Sequence, residues 1–172
     1  MAKSKNIKKI FDGKLIQLFT KAERLPNGYM AHLEIVKHPG AVLIVPFLNK
    51  QEVIMIRQYR PVIGKYIWEL PAGTLHANES PLKCAKRELL EEIGYVGRKW
   101  KKLHHIYPTP GYTNEKILIF KASGLKKAVL QKQEDEIISL RPFKKPEIRD
   151  LLNCGKIVDA KTICALKLSG VL

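Results

Sequence analysis

The chain is poor in cysteine, acidic residues, long apolar runs and repeats, and each shortage narrows its class. Cysteine occurs 3 times in 172 residues, as Cys84, Cys154 and Cys164. The number is odd and the spacing is not that of metal-ligand pairs. This argues against a disulfide framework and for a reducing compartment, with thiols packed as small apolar groups. The longest apolar run, Ala41 to Leu48, falls far short of the ~20 residues needed to cross a bilayer. The N-terminal stretch MAKSKNIKKIFDGKLIQLF has lysines but no apolar centre and no small-residue cleavage site, so it does not read as a signal peptide. The expectation is a soluble, cytoplasmic protein with no membrane partner.

Acidic residues number 16 against 31 Lys and Arg, a formal net charge of +15. Such a field attracts anions. The lysines are dispersed, from Lys3 to Lys9, through Arg98 to Lys102, to Lys126-Lys127 and Lys144-Lys145. A phosphorylated small molecule fits this charge, and a nucleic-acid surface is the alternative. A hydrophobic content of 45% over this length is enough for a globular core.

Strand and helix signals alternate irregularly. Lys14 to Thr20 and Tyr29 to Val36 flank Pro26-Asn27-Gly28 and predict a hairpin. Ala41 to Leu48 reads as a buried strand, followed by strands at Glu52 to Tyr59 and Tyr66 to Leu70. Ser80-Pro81 predicts a helix start and Gly94 its stop, giving a helix over Pro81 to Ile93. Its stripe Leu82, Ala85, Leu89 and Ile93 should dock on a core. Strands are expected at Lys99 to Ile106, Lys116 to Ala122 and Ile137 to Arg141. Helices are expected at Pro146 to Asn153 and Asp159 to Leu168. The order lacks regular βαβ alternation and predicts an α+β fold, an α/β/α sandwich with a mixed sheet.

The Pro81 helix contains a local conflict. Glu88, Glu91 and Glu92 lie near its C-terminal end, where the macrodipole disfavours acids by roughly 0.3–1 kcal/mol each. Their i, i+3, i+4 spacing also puts like charges side by side. A divalent cation would relieve both penalties, because carboxylate oxygens suit Mg²⁺ and Mn²⁺.

The same stretch carries a fixed pattern: Gly73, Glu79, Arg87, Glu88, Glu91, Glu92 and Gly94. It resembles the Nudix box of the Nudix hydrolases at every glycine and charged position. Tyr95 departs slightly, being aromatic where an aliphatic residue is commoner. The resemblance implies a central loop–helix–loop motif that binds Mg²⁺ (or Mn²⁺) and cleaves a nucleoside diphosphate linked to another group. It implies Glu88, Glu92, Glu91 and the Ala72 backbone carbonyl as metal ligands. Glu91 could also serve as a helper base. Arg87 is expected to orient the glutamates and Glu79 to brace the loop.

Four further segments, IRQYRP, WELPAG, TPGYTNE and GKIVDAKTICAL, resemble ADP-ribose pyrophosphatases and extend the likeness over most of the chain. This implies hydrolysis of ADP-ribose to AMP and ribose 5-phosphate. The implied substrate contacts are Arg57, Tyr59, Arg60, Glu69 and Pro110. For the arginines, neutralising nearby acids such as Glu69 is the alternative role. The implied general base is a glutamate in the loop QKQEDEI, and Glu134 and Glu136 both qualify. His104-His105 read as alternating strand residues and not as a catalytic pair. The subfamily further implies a homodimer, with residues 1–38 as dimerisation strands and 39–172 as the hydrolase domain. Two alternatives stay open. One is another Nudix substrate, including a different nucleoside diphosphate derivative or an RNA 5′ end. The other is a catalytically silent Nudix-fold binding module.

Overall fold

The computed structural model describes residues 7–128 and 138–172. It divides into two compact units, one comprising the residues up to Gly40 with Tyr107–Lys116, the other Ala41–Ile106 with Ile117–Leu172.

The first unit is an antiparallel three-stranded sheet of β1 (Ile7–Asp12), β2 (Gln17–Arg24) and β3 (Met30–Lys37), in that order. The expected hairpin joins β2 to β3, and β1 adds a further strand. Gly28 adopts φ 85° in the turn, a conformation that favours glycine. Its N–H donates to Leu25 O at 2.9 Å. The distant segment Tyr107–Lys116 is tied to the end of β3. Val36 N donates to Tyr112 O at 2.8 Å, and His38 N donates to Asn114 Oδ1 at 2.8 Å.

The second unit holds the remaining elements: β4 (Ala41–Pro46), β5 (Glu52–Arg60), β6 (Lys65–Glu69), β7 (Ala72–Thr74), α1 (Pro81–Ile93), β8 (Tyr95–Ile106), β9 (Ile117–Lys127), β10 (Ile138–Lys144), α2 (Lys145–Asn153) and α3 (Ala160–Leu168). One sheet runs β7-β4-β9-β8, with β4 and β9 parallel and the other pairs antiparallel. The other runs β10-β5-β6, wholly antiparallel.

Alternation along β4 and β5 separates two cores. Val42, Ile44, Ile54 and Ile56 pack with Ala85 and Leu89 of α1. Leu43, Val45 and Met55 pack with Ile148 of α2 and Leu166 of α3. Successive strand residues face opposite sides, so the apolar run of β4 is buried on both faces by different helices. This is the expected α+β, α/β/α arrangement. Each buried aliphatic side chain contributes roughly 1.5–3 kcal/mol, so these clusters outweigh the exposed ion pairs as sources of stability.

Several local expectations change: β2 spans Gln17–Arg24 and not Lys14 to Thr20, and β9 runs on to Lys127 and does not stop at Ala122. β8 begins at Tyr95 and not Lys99, directly after the helix stop. β7 was not foreseen, because three residues containing Gly73 carry almost no periodic signal. Leu82 is 38% exposed, and Cys84 joins Ala85, Leu89 and Ile93 in the α1 core instead.

Candidate active site

The site is built where the loop after β7 meets α1. Ser80 caps the helix, accepting from Lys83 N at 3.4 Å, and Pro81 occupies the first helical position. Gly94, at φ 68°, ends it, its N–H donating to Leu90 O at 3.0 Å. Both boundaries are those the sequence predicts. Between them, Glu88 and Glu92 are turned inward and are only 8% and 7% exposed. They share the buried face with Ala85 and Leu89.

Arg87 organises this acid group. Its Nε and Nη2 donate to the two oxygens of Glu79, each at 3.0 Å. Its Nη1 donates to Glu88 Oε1 at 2.6 Å and to Glu91 Oε2 at 2.9 Å. Nη2 also reaches Thr74 O at 3.3 Å. Glu79 additionally accepts from His76 N at 3.2 Å. One guanidinium therefore joins the loop to the helix and separates two crowded glutamates. Its own hydrogen bonds to Glu79, foremost, raise the Arg87 pKa despite burial. The same Arg87 hydrogen bonds hold Glu79 down at about 2, against an ordinary 4.5.

Glu92 is anchored separately. Its Oε2 accepts from Ala72 N at 2.9 Å. Ala72 thus meets the group through its amide. Gly73, beside it, leaves the space that Glu88 occupies: a Cβ at position 73 would overlap the Glu88 carboxylate. Cys84 lies beneath, with Sγ 3.5 Å from Thr74 O. Burial first, then the Glu79 charge, push its thiol up to about 12. It is a packing residue and not a nucleophile.

A divalent cation fits the chemistry of this donor set. Three carboxylates (Glu79, Glu88 and Glu91) converge on a single guanidinium, Glu92 follows on the same helix, and every one of these side-chain donors is a hard oxygen. As placed, Glu88 and Glu91 are both engaged by Arg87. Among the described residues, no three His, Cys, Asp or Glu side chains stand in a metal-ligating array.

A second polar group lies across β5, β6 and the start of α3. Glu69 is 1% exposed. Arg60 grips it with Nε at 2.7 Å and Nη2 at 3.1 Å. Lys161 Nζ also donates to it and to Asp159 Oδ1 at 2.8 Å. Asp159 caps α3 by accepting from Thr162 N at 2.9 Å. Burial alone would lower the Arg60 pKa, but its hydrogen bonds and attraction to Glu69 outweigh that and raise it.

The structure sorts the expected substrate contacts. Arg60 and Glu69 come together. Arg57 and Tyr59 do not join them, because both sit on the opposite face of β5. Arg57 stacks over Tyr66 at 4.9 Å, and the Tyr59 ring lies 5.1 Å from that of Tyr66. Of the two arginines weighed as partners of Glu69, only Arg60 pairs with it. Pro110 lies in the first unit, in a turn where Thr113 N donates to Thr109 O at 3.2 Å. Glu134 and Glu136 fall outside the described residues. His104 Nδ1 lies 2.8 Å from His105 O on β8. Sequence reasoning missed Lys161 and Asp159. Asp159 at the head of a predicted helix was the available signal, as a cap that also faces a lysine two residues on.

The sequence profile of the NUDIX domain matches residues 37–166. The chain belongs to the Nudix family. This Nudix pyrophosphohydrolase is 36% identical over 162 residues to the ADP-ribose pyrophosphatase of Bacillus subtilis, covering 92% of this chain and 86% of that one. It is also 36% identical over 160 residues to the methanol dehydrogenase activator of Bacillus methanolicus, with coverage of 92% and 86%. A crystal structure of an ADP compounds hydrolase superposes with a TM-score of 0.83 at 25% identity, covering 96% of this chain and 90% of that chain. Nudix hydrolases generally need a divalent metal. Among the described residues, no helix is long and apolar enough to cross a membrane.

Proposed function

We propose that this Nudix enzyme hydrolyses ADP-ribose to AMP and ribose 5-phosphate with Mg²⁺ (or Mn²⁺). The observation that carries the reading is the acid group on α1, tied by Arg87 and seated over Gly73. The likeness to a named ADP-ribose pyrophosphatase over 92% of the chain supports the choice of substrate.

In this reading water adds across one phosphoanhydride bond, so one product keeps the adenosine phosphate and the other the ribose phosphate. Glu88, Glu91 and Glu92 would hold the cation. When bound, it supplies positive charge against the diphosphate oxygens and makes water more acidic. Arg87 orients Glu88 and Glu91, and Glu79 keeps Arg87 in place. The Ala72 amide fixes the rotamer of Glu92. Arg60, pre-oriented by Glu69, offers a planar guanidinium to substrate oxygens. Glu134 or Glu136 takes the proton from the attacking water.

Residues 1–38 serve as dimerisation strands and residues 39–172 as the hydrolase domain. The exposure of Ile7, Ile10, Phe11, Tyr29 and Met30 supports an apolar contact surface there. Light scattering should find a dimer at micromolar concentration; a monomer would remove this part of the reading.

Purified protein with Mg²⁺ and ADP-ribose should release AMP. Absence of that turnover, with clear turnover on capped or triphosphorylated RNA, overturns the substrate assignment. No turnover on any nucleoside diphosphate derivative returns the silent binding module.

A further inference from the structure

Residues 57, 59, 66 and 68 share one face of the β5–β6 pair, opposite the face that carries Arg60 and Glu69. That face opens into a cleft of about 600 Å³, walled on the far side by Leu151 of α2 and the loop that follows it. Among the described residues four cations, Arg57, Lys65, Arg141 and Lys156, line it, and no acidic residue does. The four come from β5, β6, β10 and the loop after α2, so no local helix or strand pattern explains their convergence. Arg141 also has an ion pair with Glu147 at 3.1 Å, at the exposed rim, which a stronger anion can displace.

The cleft is also aromatic. Tyr66 is 47% exposed and carries the Arg57 guanidinium over its ring at 4.9 Å. Trp68 is fixed edge-on against Phe143, with ring centroids 4.7 Å apart. Arg141 lies over the same Phe143 at 4.5 Å. Flat rings and flat guanidinium groups stack on a base, while arginine and lysine bind phosphate oxygens. The volume falls in the range of single-ligand sites, roughly 300–1,000 Å³.

We propose that this cleft is a second binding site, for a nucleoside phosphate, separate from the carboxylate site on α1. The base stacks against the Tyr66–Arg57 wall, and the phosphate is held by Arg141 and Lys156. Inorganic phosphate would leave the aromatic wall unused, and a cleft of this volume holds a single nucleotide. The binding measurement is independent of the substrate, and only the turnover control rests on the proposed ADP-ribose hydrolysis.

The test is calorimetric titration of the full chain with AMP in the presence of EDTA, so that divalent cations do not assist binding. One AMP should bind per chain, in the wild type and equally in a Glu88→Gln/Glu92→Gln variant. An Arg141→Gln/Lys156→Glu variant should bind at least roughly tenfold more weakly. Its kcat for ADP-ribose, and its circular dichroism, should be unchanged. Lys156→Glu alone, at an exposed position, repeats the test with no effect on folding expected. The proposal fails if AMP does not bind at millimolar concentration. It fails if binding is lost in the glutamate variant and not in the cleft variant. It also fails if inorganic phosphate binds as tightly as AMP, if single-stranded RNA binds the cleft far more tightly, or if the cleft variant loses ADP-ribose turnover.

Discussion

The Glu88 carboxylate occupies the space that a side chain at Gly73 would fill. The glycine is therefore required by close approach and not by a left-handed backbone, since Gly73 is absent from the positive-φ residues. Gly73→Ala forces either the strand or Glu88 to move. Overpacking of this kind costs about 1–3 kcal/mol, a fall in Tm of roughly 2–4 °C per kcal/mol for a chain of this size. We predict a larger effect on activity, because Glu88 cannot move without leaving Arg87. Thermal melting and a Mg²⁺ titration of activity measure both. Wild-type Mg²⁺ dependence in Gly73→Ala would show that the position of Glu88 is unimportant.

Glu92→Gln separates charge from structure. A glutamine oxygen can still accept from Ala72 N, so the hydrogen bond at 2.9 Å is retained and melting should change little. If Glu92 holds the cation, the rate should fall at least roughly a hundredfold through lost electrostatic stabilisation. Activity close to wild type would refute the assignment of Glu92 as a ligand.

Most of this site is legible before folding, because it is local. A cap, a stop and three acids at helical spacing all lie within one helix, and their geometry follows from 3.6 residues per turn. Arg87 and Glu79 lie 8 residues apart and are equally accessible to such reasoning. What escapes is tertiary. Lys161 reaches Glu69 across 92 positions, and no periodicity links them. Arg57 and Arg60 look equivalent in the segment IRQYRP. Only the pleat, with its period of two, sends one to Glu69 and the other to the cleft beneath Tyr66. The attachment of Tyr107–Lys116 to the first unit is likewise invisible in composition.

Glu69 tests the second polar group. It is buried between Arg60 and Lys161, and Glu69→Gln leaves both cations facing a neutral amide. We expect a loss of about 1–3 kcal/mol, moderated because Arg60 is 39% exposed and can turn to water. If Arg60 touches substrate, its released guanidinium should raise KM more than it lowers kcat. Urea melts and steady-state kinetics report the two effects. A change in stability with unaltered KM would confine the Arg60–Glu69 pair to a structural role.

Acid sensitivity should trace to Glu79. Its pKa is depressed in the folded protein to about 2 from 4.5, first by the Arg87 hydrogen bonds and then by that of His76 N. A depressed carboxylate stabilises the fold fully above its unfolded value. That contribution is lost as pH falls from about 4.5 towards about 2. Arg87, with its pKa raised, stays charged throughout and adds no slope. At neutral pH, Glu79→Gln should cost about 1.5–3 kcal/mol, the value of a hydrogen bond to a charged group. The gap between wild type and variant should narrow below pH 4.5 and close near pH 2. Melting curves recorded from pH 6 downward test this, and parallel profiles at every pH would mean that Glu79 is not the group that titrates. Convergence would tie this part of the acid dependence to the loop–helix junction, because protonated Glu79 can no longer hold Arg87 against Glu88 and Glu91.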